Sequence, residues 1–272
     1  MPPGPRLLMC PPTHFGVEYV INPWMEGNLA STDAATAATQ WNALHAGLAR
    51  LAGIELIQPG DGLPDMPFTA NAGLVIGDVF VPSCFRHAQR RGEEPLFTEW
   101  ATHYGFTVRK LPDGMHFEGA GDALLDRGSP RLWLGHGPRS DPGVEAGLAA
   151  LFDIETVALR LVDPRFYHLD TCFCPLAGGW LLYYPPAFDT DGIGAITARV
   201  PESRRIALSE QDALAFACNA VNVGRSLVVN QASASLQATL RAAGFEVIET
   251  PLGEFLKAGG SAKCLTLRLD ES

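Results

Sequence analysis

The feature that most constrains this chain is a unit recurring about every fifty residues: a polar residue, a short apolar strand, a Gly turn and a second apolar strand. Asn71 precedes 72–76, the turn Gly77-Asp78 and 79–81. Asp122 precedes 123–125, a turn near Gly128 and 132–134. Asp170 precedes 171–176, the turn Gly178-Gly179 and 180–184, and Asn219 precedes 220–223, Gly224-Arg225 and 226–229. Cys264, followed by 265–269, begins a fifth, incomplete copy. The openings are 51, 48, 49 and 45 residues apart, too regular for ordinary strand scatter.

Helix-like segments lie between the copies, each ending near a glycine and leading into another apolar strand: 34–51 to 54–57, 98–104 to 106–108, 144–152 to 154–161, and 232–243 to 245–248. The pattern is weakest between the third and fourth copies. Five helix-plus-sheet units set around an axis bury each apolar face against a neighbour, which predicts an α/β fold closed into one domain over 1–272. The fifth unit closes by pairing with 7–10. In such a ring Asn71, Asp122, Asp170, Asn219 and Cys264 converge on a central polar channel.

The 272 residues are 47% hydrophobic, enough for a substantial core, and a formal net charge of −10 disfavours nucleic acid or an anionic membrane surface as partner. A small-molecule substrate is the better match. The N-terminus lacks the charged and apolar regions of a signal peptide, and no stretch of about 18 apolar residues occurs, so a cytoplasmic chain is expected. Six cysteines are too few for a disulfide scaffold and read as free thiols. His168, Cys172 and Cys174 lack a second pair at zinc-like spacing, and no Gly-rich segment has the form of a phosphate loop, so neither a metal nor a nucleotide cofactor is expected. No oligomeric state is implied.

Asp65, Glu118 and His168 lie just ahead of ring positions, and Asp170 is itself one. A cysteine, a histidine and several acids meeting in one pocket suit nucleophilic chemistry on a cation: a thiolate attacks an electron-poor carbon, a histidine exchanges protons with the leaving group and water, and carboxylates hold the charge. Taken singly, each has a plainer reading. Cys264 alone reads as a core thiol, His168 as a structural histidine, Glu118 as a loop acid and Asp65 as a turn residue. Asn71, Asp122, Asp170 and Asn219 read equally as strand-opening caps, and Asn219 is left in that role.

The ordered set Asp65-Met-Pro-Phe-Thr-Ala-Asn71, Phe117-Glu118-Gly-Ala-Gly-Asp122, His168-Leu-Asp170 and Gly259-Gly-Ser-Ala-Lys-Cys264 resembles the guanidino-group-modifying superfamily of arginine deiminases, dimethylarginine dimethylaminohydrolases and amidinotransferases. The match spans nearly the whole chain. It implies a five-bladed α/β propeller, the pentein fold, and no cofactor. It also implies Cys264 as covalent nucleophile, His168 as general acid and base, Glu118 as its partner, and Asp65 and Asp170 as guanidinium contacts. Glu118-Gly-Ala-Gly-Asp122 is one residue longer than the usual motif, which bears on Asp122 as a substrate contact.

Asn71 occupies a slot where deiminases and dimethylarginine hydrolases usually carry Asp. With the segment Met9 to Met25, including Asn22, it is similar to the arginine dihydrolases, which convert arginine to ornithine, two ammonia and carbon dioxide. The resemblance further implies Arg90 and Arg139 as a carboxylate clamp, Asn22 as receiver of the α-amino group, and a lid over about 10–30. The alternatives are a citrulline-forming deiminase or dimethylarginine hydrolase and, outside the enzymes, a non-catalytic propeller that binds a macromolecule.

Overall fold

The computed structural model describes residues 4–271 as five three-stranded sheets. Four are built alike: an antiparallel hairpin, a helix crossing back, and a third strand parallel to the second. The first joins Gly73–Ile76 and Val79–Pro82 to Thr107–Val108, and the second joins Ala123–Leu125 and Arg131–His136 to Glu155–Arg160. The third joins Phe173–Leu176 and Trp180–Tyr183 to Arg205–Ala207, and the fourth joins Val221–Val223 and Ser226–Val229 to Glu246–Glu249. The two ends of the chain share the fifth sheet, where Leu7 pairs with Arg268 and Leu8 with Leu267, and Gly53–Leu56 lies parallel on the far side. This is the closed ring of five units expected from the repeat and the five-bladed α/β propeller implied by the resemblance, closed by the expected pairing.

Local chemistry explains the connecting helices. Ala34–Leu48 starts where Asp33 accepts the Thr36 N–H, and Ala234–Ala242 where Ser233 accepts that of Leu236. Glu93–Tyr104 begins earlier than the apolar pattern suggests, because Pro95 falls in the first turn, where backbone N–H groups have no helical partner. The weak segment of the third unit is the helix Thr190–Arg199. Gly192 and Gly194 lower its intrinsic propensity, while the Asp189 cap and burial of Gly192 and Ile196 hold it.

The largest core cluster runs through the second to fourth blades, with Trp133 and Phe173 at a ring separation of 5.2 Å and neither more than 1% exposed. Truncating either to Ala costs about 3–5 kcal/mol. Toward the axis the blades are tied by polar groups instead. Asn71 Nδ2 donates to the Glu118 carbonyl at 3.4 Å, Asp122 Oδ1 accepts the Leu169 N–H at 3.0 Å, and Asn219 Nδ2 donates to the Asp170 carbonyl at 3.1 Å. Asn219 Oδ1 accepts the Cys264 N–H at 3.0 Å, and the Ala70 N–H closes the ring on the Cys264 carbonyl at 3.0 Å. Each junction between neighbouring blades thus has a hydrogen bond at the axis.

Candidate active site

A narrow pocket at one end of the axis is lined by Asn22, Asp65, Asn71, Arg90, Arg139 and Cys264, together with Ile21, Phe68, Tyr167 and the chain at Ala258 and Gly260. Six residues singled out in the sequence therefore meet there. Glu118 and His168 adjoin it through Arg139: Glu118 Oε2 lies 2.7 Å from His168 Nε2 and 2.9 Å from Arg139 Nη1. Glu118 is 0% exposed, and burial alone would raise its carboxyl. Arg139, His168 and Arg90 outweigh burial and hold it well below the usual carboxylate range. An ionised Glu118 only accepts, so His168 carries its proton on Nε2.

Asp65 supplies an acceptor for a cation. Its Oδ2 takes the Tyr19 hydroxyl at 2.9 Å, whereas its buried Oδ1 has no hydrogen-bond partner among the described residues. Burial raises this carboxyl, with Arg90 and Tyr19 opposing. A buried acceptor left open costs about 1–3 kcal/mol, and a guanidinium N–H would satisfy it.

The Arg90 fork is taken by Glu93. Nε and Nη2 bind the two Glu93 oxygens at 2.8 and 2.7 Å, Nη2 also reaches the Asp65 carbonyl, and Nη1 donates to Asn71 Oδ1 at 2.8 Å. The two-hydrogen-bond grip that the clamp assigned to Arg90 is thus directed at Glu93. The same contacts fix the Asn71 amide: Arg90 can only donate, so Oδ1 faces Arg90 and the NH₂ faces the Glu118 carbonyl. Asn71 therefore offers N–H donors, and its acceptor is already in use. Arg139 gives one N–H to Glu118 and one to the Ile21 carbonyl, with its guanidinium 4.6 Å from the Tyr167 ring centroid.

Asn22 stands at the pocket, but its Oδ1 accepts the N–H groups of Trp24 and Met25 and its Nδ2 donates to the Ala258 carbonyl. An amino group bound at Oδ1 would displace one of those contacts. Four side-chain bonds pin the N-terminal segment over the pocket: Tyr19 to Asp65, Arg139 to Ile21, Asn22 to Ala258 and Trp24 Nε1 to the Arg165 carbonyl.

Neither Asp122 nor Asp170 lines this pocket. Asp122 uses Oδ2 on the Ser140 hydroxyl at 2.6 Å and Oδ1 on the Leu169 N–H, and Ser140 Oγ also accepts the Glu118 N–H. It braces the backbone at Glu118 and beside His168, and burial pushes its carboxyl up to about 6. Asp170 sits 3.6–3.7 Å from Cys264 Sγ and lines a separate small axial cavity with Lys263 and Arg127. Burial raises it to about 7. Sequence reasoning missed Tyr19, Glu93, Ser140 and Tyr167, and read Asn219 as a cap. Only Asn219 carried a signal, as the fourth member of the repeat.

Gly121 explains part of the lengthened motif. A Cβ there would fall 2.3 Å from Asn71 Nδ2 and 3.4 Å from His168 Cγ, so the bare backbone is what lets the two side chains approach. Cys172 and Cys174 are buried thiols facing the carbonyls of Leu169 and Ala220 at 3.6 and 3.7 Å.

A propeller with a buried cysteine at its axis and a Glu–His pair beside it defines the class as a pentein. Residues 22–270 match the family described as eukaryotic N,N dimethylarginine dimethylhydrolase, and the chain belongs to that family. It is 55% identical over 98% of its length to the bifunctional arginine dihydrolase/ornithine cyclodeaminase ArgZ of Synechocystis sp., and equally so to AgrE of Nostoc sp.. The chain spans 38% of the length of each. It is 41% identical to the N(G),N(G)-dimethylarginine dimethylaminohydrolase of Mycobacterium tuberculosis, over 97% of this chain and 85% of that one. Among solved structures, the N-terminal domain of ArgZ as a C264S mutant bound to substrate superimposes with a TM-score of 0.97 at 54% identity, covering 98% of both chains. No helix among the described residues is long and apolar enough to cross a membrane.

Proposed function

We propose that the protein is an arginine dihydrolase, converting L-arginine and two waters to ornithine, two ammonia and carbon dioxide without a cofactor. The observation that carries the choice over a citrulline-forming enzyme is Asn71, a pocket-lining residue whose Oδ1 is held by Arg90 and whose amide nitrogen donates to the Glu118 carbonyl, leaving one N–H uncommitted. The resemblance to ArgZ and AgrE supports the same reading. The six free cysteines fit a reducing cytoplasm.

Asp65 Oδ1 accepts the guanidinium, and Arg139 meets the substrate carboxylate at the other end, while Arg90, bound to Asn71 and the Asp65 carbonyl, stays with the guanidinium end. Asn22 and the segment over about 10–30 close over the α-amino end. Cys264 Sγ attacks the guanidino carbon, and His168, held by Glu118, protonates the departing nitrogen as ammonia. The remaining thiouronium takes up water with His168 as base. If sulfur leaves next, the product is citrulline. If the second ammonia leaves first, a thiocarbamate on Cys264 remains, and a second water releases carbamate, which falls apart to ornithine and carbon dioxide.

Asn71 separates these outcomes in physical terms. An Asp in its place would accept N–H groups and retain the nitrogens. The Asn71 N–H instead suits the oxygen that the first water introduces, and turns the intermediate so that nitrogen leaves before sulfur. The test is alkylation of Cys264 followed by peptide mass spectrometry. Stoichiometric labelling that L-arginine suppresses is expected, and six thiols reacting alike with or without arginine would overturn the site.

A further inference from the structure

Asn219 is fully buried, and both ends of its amide engage the cysteine of the next blade. Oδ1 accepts the Cys264 N–H at 3.0 Å, while Nδ2 lies 3.0 Å from Cys264 Sγ and 3.1 Å from the Asp170 carbonyl. A backbone N–H can only donate and a carbonyl can only accept, so the amide orientation is determined and the group facing sulfur is an N–H. The sulfur is therefore an acceptor on that side. In the thiol form its own hydrogen is left to the Asp170 carboxylate at 3.6–3.7 Å.

We propose that Asn219 is a positioning residue for the reaction: its side-chain N–H stabilises the Cys264 thiolate while its carbonyl fixes the backbone that aims the sulfur. The need is visible in the surroundings. Burial raises the Cys264 thiol and the Asp170 carboxylate adds to it, while the Ser261 backbone, the Asn219 amide and the Lys263 cation act the other way. Tyr167, whose hydroxyl donates to the Gly259 carbonyl, also couples to the sulfur, and Asp65, Arg90 and Arg139 line the same pocket. An uncharged donor favours the thiolate without placing a second cation where a guanidinium must bind.

The inference rests on Cys264 as the nucleophile, but alkylation reads the thiolate without turnover, so the two fail separately: an unreactive Cys264 in the native protein sinks the first, and an unaltered variant sinks the second. The experiment follows iodoacetamide labelling of Cys264 against pH in the full chain, in Asn219→Ala and in the near-isosteric Asn219→Asp. Losing the donor should move the labelling midpoint up by about one unit or more in Asn219→Ala, and further in Asn219→Asp, where an anion replaces it. Because a more basic thiolate is intrinsically more nucleophilic, labelling at pH 7 should slow by only about 3- to 10-fold. The kcat should fall in step while KM changes by less than about twofold. An unshifted profile in either folded variant overturns the proposal. Should neither fold, ¹⁵N-asparagine labelling of the native chain decides: one side-chain amide should titrate with the Cys264 labelling midpoint and stop doing so in Cys264→Ala, and its absence overturns the proposal equally.

Discussion

Arg90 Nη1 donates to Asn71 Oδ1 at 2.8 Å while Glu93 holds the opposite edge of the same guanidinium. The buried Arg90–Glu93 ion pair thereby fixes which way the Asn71 amide is turned. Replacing Glu93 by Gln should loosen Arg90 and let the Asn71 amide turn, so that citrulline appears beside ornithine in product analysis. A product mixture identical to that of the native enzyme would show that the amide is held by other means.

Asn71→Asp goes further. The new carboxylate pairs with Arg90 and grips the guanidinium nitrogens, so citrulline should become the main product, with one ammonia per turnover. Product remaining as ornithine, with no citrulline, would remove Asn71 from the choice of leaving group.

Glu118→Gln keeps the shape of the Glu118–His168 contact but removes the charge that holds the imidazole. The kcat should fall about 10²- to 10⁴-fold, with Cys264 still alkylated and the fold intact by circular dichroism. Activity within a few fold of native would place the proton transfers elsewhere.

The repeat made the five blades, the closing strand pair and the axial residues legible, because apolar alternation and Gly turns report directly on half-buried hairpins. The helix Thr190–Arg199 was obscured by Gly192 and Gly194, whose low propensity is overridden by burial. The Arg90 partner was hidden for a different reason: Glu93 is three residues away, but a fork in a pocket wall can turn to a near acid or to a ligand, and only packing decides. Asn219 shows the limit most clearly, since a cap and a clasp on the next blade's cysteine call for the same residue at the same point of the repeat. Asp122 and Asp170 took their substrate-contact roles from the resemblance, while their side chains are turned to Ser140 and Leu169 and to Cys264.

Stability should carry two pH windows of opposite sign. Asp170, raised to about 7 by burial, holds a proton in the folded state that the unfolded chain releases near its ordinary value. Its contribution therefore falls as pH rises through about 4 to 7. Glu118 is depressed when folded, so its contribution is present above its unfolded value and is lost as pH falls toward the folded one. Thermal melts across this range should show Asp170→Asn flattening the decline toward neutral pH and Glu118→Gln flattening the acid limb. Parallel curves for all three proteins would contradict both assignments.

Gly121→Ala would put a methyl 2.3 Å from Asn71 Nδ2. Overpacking of this kind costs about 1–3 kcal/mol, and displacement of Asn71 and His168 should reduce kcat by more than the loss of folded protein accounts for. A folded variant with native turnover would mean that the site tolerates the shift.

The most direct measurement is amino-acid chromatography with ammonia quantitation after incubation with L-arginine, with Cys264→Ser as control. Ornithine with two equivalents of ammonia, absent in the control, is the expected result. Citrulline with one equivalent, or no turnover of arginine by the intact enzyme, would contradict the dihydrolase reading.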